Sequence, residues 1–129
     1  MEELEKLRKE IDKLDKMIAE LISKRQGLSN KILEAKGGEF TYDPVRERQV
    51  MKKIFSYDID SKLAERIWRH IISFNLSKQK KLKIGYLGDD KFSIAAYESY
   101  FGPYFENRNF KNVNKLMEGI NNKIIDAAI

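Results

Sequence analysis

The sequence contains no cysteine and a single histidine, so a disulfide scaffold, a thiolate metal site and the usual zinc constellations are all unavailable. Metal chemistry is therefore not expected. No stretch approaches the roughly 18 apolar residues of a membrane span, and the opening MEELEKLRKE has no apolar core of the kind a signal peptide needs. A cytoplasmic protein with no membrane partner is expected. With 129 residues there is room for one modest domain, or a small domain with an appendage, which excludes a large multidomain machine.

The net charge of +5 invites a nucleic-acid reading, but its distribution argues against one. Residues 1–81 hold 19 Lys and Arg against 14 Asp and Glu, and residues 82–129 hold 6 against 6. All of the excess thus lies in the first stretch, where cations and acids alternate, as in LEKLRKEIDKLDK. Such mixing marks a solvated helix face with i,i+4 pairs rather than a phosphate-tracking stripe. No nucleic-acid partner is expected.

Leu4, Leu7, Ile11, Leu14, Ile18, Leu21, Leu28, Ile32 and Ala35 fall on alternating steps of three and four, the period of an amphipathic helix. One slot in the series, between Leu21 and Leu28, holds Arg25. A helix from about Glu3 to Lys36 would be roughly 50 Å long at about 1.5 Å per residue. A seam of that length calls for a partner helix, so a homodimer is expected. Gly37 and Gly38 should end the helix. Asp43 followed by Pro44 reads as an N-cap with proline at the first helical position, and opens a short helix with Val45, Val50, Met51 and Ile54 on its apolar face. A third helix, capped by Asp60 or Ser61, places Leu63, Ile67, Ile71 and Phe74 at helical spacing and runs through Asn75 and Gln79.

Arg25 is the anomaly. An unpaired guanidinium in a buried seam costs several kcal/mol, so something must offset it. One reading is a register-setting polar residue paired with a glutamate of the partner helix. The other is a ligand site, because Arg8 lies beside the seam, Lys36 follows about three turns on, and Arg46 and Glu47 stand in the first turn of the second helix. Asn75 and Gln79, four apart on one face of the third helix, add uncharged hydrogen-bonding groups.

The succession LRKEIDKLDKMIAELISKRQGLSNKILEAK, then DPVRERQVM, then a third helix ending NLSKQ, resembles the all-helical chorismate mutase domain over about residues 3–80. The resemblance implies a mainly α fold: a three-helix chorismate-mutase-type protomer forming an intertwined helical dimer, with a small C-terminal α/β segment. It implies a pocket of Arg8, Arg25, Lys36, Asp43, Arg46, Glu47 and Gln79, with Asn75 where some members have a serine or another small polar residue. The implied reaction is the intramolecular Claisen rearrangement of chorismate to prephenate, which needs no cofactor, metal or nucleophile.

On that basis Arg25 and Arg8 would grip the substrate carboxylates bidentately, Arg8 coming from the other protomer. Lys36 and Gln79 would meet the negative charge developing on the ether oxygen. Glu47, with Asp43 nearby, would accept a hydrogen bond from the ring hydroxyl, and Arg46 would orient the acids or close the rim. Structural alternatives stand beside these roles. Capping explains Asp43 fully, Arg46 suits an ordinary surface, and Lys36 suits a helix C-terminus. Trp68 and His70 read as packing or surface residues.

After Lys81 the pattern changes. KLKIGYLG reads as a strand entering a glycine turn, FSIAAYESYFG as a helix, NVNKLMEGINN as a helix and KIIDAAI as a strand. The stretch IGYLGDDKFSIAAYESYFG resembles the opening of a prephenate dehydratase domain, with DDK replacing the proline and the glycine-threonine part of that family's segment. Two domains are expected, 1–81 and 82–129, the second too short for dehydratase activity. It is either a truncated piece or a natural remnant kept for packing. Two rival functions remain: isochorismate-pyruvate lyase on a closely similar helical fold, and a non-catalytic basic coiled-coil interaction module.

Overall fold

Helix α1 spans Glu2–Ala35, within one residue of the expected ends. Glu2, Glu3 and Glu5 in its first turn complement the helix dipole. At its other end Gly37 and Gly38 take φ of 77° and 75°. The Gly37 N–H donates to Glu34 O at 2.9 Å and the Gly38 N–H to Leu33 O at 3.0 Å, which satisfies carbonyls the helix would leave open. The computed structural model describes residues 2–38, 43–88 and 91–129. The chain divides into two compact units, Met1–Phe40 and Thr41–Ile129, so α1 forms a unit by itself.

The second unit opens with helix α2, Pro44–Phe55, where Asp43 caps the N-terminus and Met51 and Ile54 are buried. Helix α3, Ser61–Gln79, is capped by Asp60 rather than Ser61: the Asp60 carboxylate accepts from the Leu63 N–H at 3.0 Å. Ala64 is fully buried where α2 and α3 pack on each other. Backbone at Lys80 turns extended and ends α3.

Strand β1 (Lys83–Leu87), helix α4 (Lys91–Tyr100), a 3-10 turn (Gly102–Tyr104), strand β2 (Glu106–Phe110), helix α5 (Val113–Asn121) and strand β3 (Ala127–Ala128) follow in order. The sheet order is β2-β1-β3 and both pairings are parallel, so each connection crosses over through a helix, as parallel neighbours require. Its core gathers Leu82, Ile84, Tyr97, Phe101, Phe105, Leu116 and Ile125. Gly85 is needed in β1 because a Cβ there would sit 2.5 Å from Ile125 Cδ1 and 2.9 Å from Leu116 Cδ1.

One element was not expected from the sequence and one expectation is corrected. Strand β2, ENRNF, has no apolar alternation to announce it, since four of its five residues are exposed. It forms because it lies at a sheet edge and pairs residue for residue with β1, from Lys83 opposite Glu106 to Leu87 opposite Phe110. The strand expected over KIIDAAI shrinks to Ala127–Ala128. Lys123 adopts φ 58° as the chain leaves α5, and the N–H groups of Ile124 and Ile125 turn back to Gly119 O. Asp89 and Asp90 of the DDK segment lie outside the described residues.

Within the second unit α3 packs on α4 and on the 3-10 turn. Ser73 Oγ donates to Tyr100 O at 2.9 Å, His70 Nδ1 lies 3.1 Å from Tyr104 OH, and the rings of Phe74 and Tyr104 meet edge to face at 5.5 Å. His70 and Phe74 thus serve packing. No helix among the described residues is long and apolar enough to cross a membrane.

Candidate active site

Helix α1 supplies three of the expected site residues, and their spacing along it limits what one copy can do. Arg8 and Arg25 are seventeen residues apart, or about 25 Å along the axis, and Arg25 and Lys36 are eleven apart, or about 16 Å, at about 1.5 Å and 100° per residue. The first pair is too far apart to grip the same compact ligand. The second lies almost on one face, and two long side chains leaning toward each other can converge. Arg8 Nη1 donates to Glu5 Oε1 at 3.1 Å within the first turns, in an exposed pair. Arg25 is half-buried, whereas Lys36 is exposed just past the end of the helix.

No residue of α1 is buried. Its seam is half open throughout, with Leu7 at 50%, Leu21 at 62% and Ile32 at 55% exposure.

Asp43, Arg46, Glu47, Asn75 and Gln79 belong to the second unit. The Asp43 carboxylate accepts from the Arg46 N–H at 3.0 Å, and Asp43 O accepts from the Glu47 N–H at 3.2 Å. This is the capping role expected from the sequence, and it fixes the turn that presents Arg46 and Glu47. Arg46 is exposed. Glu47 is not: its Oε1 accepts from Arg69 Nη1 at 2.8 Å, with side-chain exposures of 13% and 16%. That largely buried pair spans α2 and α3. On the far side of Arg69, the guanidinium carbon sits 4.4 Å from the centroid of the Tyr100 ring.

On α3, Asn75 is buried and Gln79 half-buried. At 100° per residue these two lie roughly opposite the face formed by Arg69, His70, Ser73 and Phe74, which meets α4 and the 3-10 turn. One side of α3 is therefore occupied by the α/β segment and the other presents the amide groups. Among the described residues no buried side-chain nitrogen or oxygen lacks a hydrogen-bond partner, so the buried amide of Asn75 is satisfied. Two clefts of the second unit involve none of the expected residues. One of about 310 Å³ is bordered by Lys83, Arg108 and Lys123; another of about 260 Å³ is bordered by Lys62, Arg66 and Tyr100.

The structure thus joins Asp43, Arg46 and Glu47 in one turn, and ties Glu47 to Arg69, a residue sequence reasoning did not single out. Nothing in the sequence distinguishes Arg69 among 25 Lys and Arg. Its role depends on a partner twenty-two positions away.

The family model described as "Chorismate mutase type II" matches residues 7–80, and the chain belongs to that family. It is 36% identical over 112 residues to a bifunctional chorismate mutase/prephenate dehydratase of Aquifex aeolicus, covering 79% of this chain and 31% of the relative. A protein of the same name from Pseudomonas aeruginosa is 34% identical over 112 residues, covering 78% and 31%. The chorismate mutase of Methanocaldococcus jannaschii is 30% identical over 87 residues, covering 63% of this chain and 88% of the relative. The chain therefore spans about a third of the length of the bifunctional relatives. No solved structure gives a significant match.

Proposed function

We propose that residues 1–81, as a homodimer, catalyse the rearrangement of chorismate to prephenate in phenylalanine and tyrosine biosynthesis in the cytoplasm, with active sites shared between protomers. The observation that carries the reading is Arg25 in the half-open seam of α1, within a chain of the type II chorismate mutase family. Completing the burial of half-exposed seam residues stabilises a dimer by roughly 1 kcal/mol for each large apolar side chain. Ten large apolar residues of α1 are exposed, from Leu4 to Ile32. A second copy of α1 running antiparallel alongside the first both closes the seam and brings its own Arg8 toward Arg25, which one helix cannot do across about 25 Å.

The reaction breaks a carbon–oxygen bond and forms a carbon–carbon bond within one molecule, so the protein acts by shape and charge. Arg25 and the second copy's Arg8 hold the two carboxylates, whose planar geometry matches the guanidinium fork. Held over the ring, the enolpyruvyl arm reacts without the entropic cost of finding that conformer. Charge building on the ether oxygen meets Lys36 and the amide of Gln79, an interaction stronger in the transition state than in the substrate. Glu47 accepts from the ring hydroxyl with the carboxylate oxygen that Arg69 leaves available. Arg46 and Asp43 border the site, and Asn75 supports substrate binding from the same face of α3 as Gln79.

Residues 82–129 form, in this reading, a separate domain like the first part of a prephenate dehydratase. A match covering 79% of the chain extends beyond residue 81, and the β-α-β order with a parallel sheet suits such a unit. The test is direct. Purified protein at high concentration should consume chorismate, followed by its absorbance, and yield prephenate; failure to do so overturns the proposal.

A further inference from the structure

The α/β segment reaches the helical site through Glu47, Arg69 and Tyr100. Glu47 Oε1 lies 2.8 Å from Arg69 Nη1, and the Arg69 guanidinium lies over the Tyr100 ring at 4.4 Å. Tyr100 is the last residue of α4 and is anchored to α3 a second time by Ser73 Oγ, which donates to its carbonyl at 2.9 Å.

From these contacts we propose that Arg69 and Tyr100 are positioning residues for the Glu47 carboxylate, so that the segment after Leu82 sets the orientation of an acid in the mutase site. This rests on the mutase reading given above. A glutamate in the first turn of a helix has several rotamers open to it, and a single ion pair to a flexible arginine would fix one of them poorly. Here the arginine is itself immobilised. A guanidinium lying over a ring face keeps the N–H groups of its own plane available for hydrogen bonding, so the ring contact and the ion pair are compatible and each orders the other. Because Nη1 occupies one carboxylate oxygen, the remaining oxygen is presented in a fixed direction for a substrate hydroxyl. Lysine could supply the charge at this position but not the stacked fork.

The segment therefore affects substrate orientation without contributing a group that touches substrate. Loss of the ring frees Arg69, widens the rotamers of Glu47 and lowers kcat/KM while the helices remain folded. Sub-ångström misplacement of a positioning group is sufficient for losses of about 10-fold or more.

The experiment uses the full chain and compares wild type with Tyr100→Leu, Tyr100→Phe, Arg69→Lys, Glu47→Gln and the Tyr100→Leu/Glu47→Gln double variant. Each is assayed for kcat and KM on chorismate, with helicity and the melting transition followed by circular dichroism. Tyr100→Leu should lower kcat/KM by about 5- to 20-fold, and Tyr100→Phe, which keeps the ring, should recover most of that loss. In the Glu47→Gln background Tyr100→Leu should cost less than about 2-fold, because the two act on one path. A merely structural role for Tyr100 would give equal losses in both backgrounds, and that result overturns the proposal. If Tyr100→Leu does not fold, Arg69→Lys provides the same readout in the wild-type and Glu47→Gln backgrounds. Wild-type protein that does not convert chorismate defeats the mutase reading itself. Active wild type with additive losses defeats only the positioning role.

Discussion

Helix α1 and the second unit solve the problem of apolar surface in opposite ways. The second unit buries a core of its own, with Ala64 and Ile84 fully buried and Ile125 at 3% exposure. Helix α1 carries an equally regular apolar pattern and buries none of it. A helix in water gains most of its stability from a packed face rather than from propensity. A 34-residue helix with its large apolar residues exposed from Leu4 to Ile32 has that face still to cover, while the second unit has already covered Ala64, Ile84 and Ile125. The same periodicity thus has different meanings according to whether or not the chain covers the face it creates.

The largest effect should come from disrupting the apolar seam of α1. Placing charges in the seam with Ile11→Asp and Ile18→Asp should convert a dimer to monomer in sedimentation experiments and reduce mutase turnover to background, because each aspartate desolvates a charge without a partner. The second unit should keep its tertiary signals. A dimeric, active variant would show that the seam is not where two copies meet.

Arg25→Ala is expected next in size. It should leave the dimer intact, or tighten it, while lowering turnover by on the order of 10²–10³-fold. If Arg25 only sets register, turnover will survive and dimer specificity will suffer instead.

A pair of glycine substitutions sharpens the contrast in packing. Gly85→Ala should destabilise the second unit by about 1–3 kcal/mol in denaturant titrations, since the new methyl would meet Ile125 and Leu116 side chains within 3 Å. In α1 nothing lies within 4 Å of a Cβ built at Gly27, so Gly27→Ala should raise stability by about 0.5–1 kcal/mol. A loss at Gly27 would mean that the second copy approaches the helix closely there.

The smallest effect separates capping from binding. Asp43→Ala should cost about 1 kcal/mol of stability, and Asp43→Ser almost none, because serine also caps. If the serine variant is stable yet loses activity, the carboxylate contributes to substrate binding beyond its cap. Equal activity would leave Asp43 a cap alone.

Much of this molecule was legible in one dimension. The helical period of α1, the glycine stop and the Asp43–Pro44 start are local signals, decided by backbone sterics and capping, and the structure reproduces each of them. On α3 the helical spacing of Leu63, Ile67, Ile71 and Phe74 holds, but Leu63 and Phe74 are exposed and the residues buried are Ala64, Ser73 and Asn75. The residues of the proposed pocket stand out because their types are unusual for their places, Arg25 in a seam above all, and because their order resembles a known family. Strand β2 was not legible, since an edge strand made of Glu, Asn and Arg is specified by the partner it pairs with rather than by its own pattern. The same holds for the length of β3, which depends on how Lys123 turns the chain.

The helices, their caps and the cation in the seam follow from the order of residues alone, because they depend on interactions within a few positions of one another. Tertiary structure alone decided that Glu47 is held by Arg69 and that Arg69 rests on Tyr100. Those contacts join three elements far apart in the chain. Their geometry follows from how α2, α3 and α4 pack, and no local pattern encodes a distance between helices.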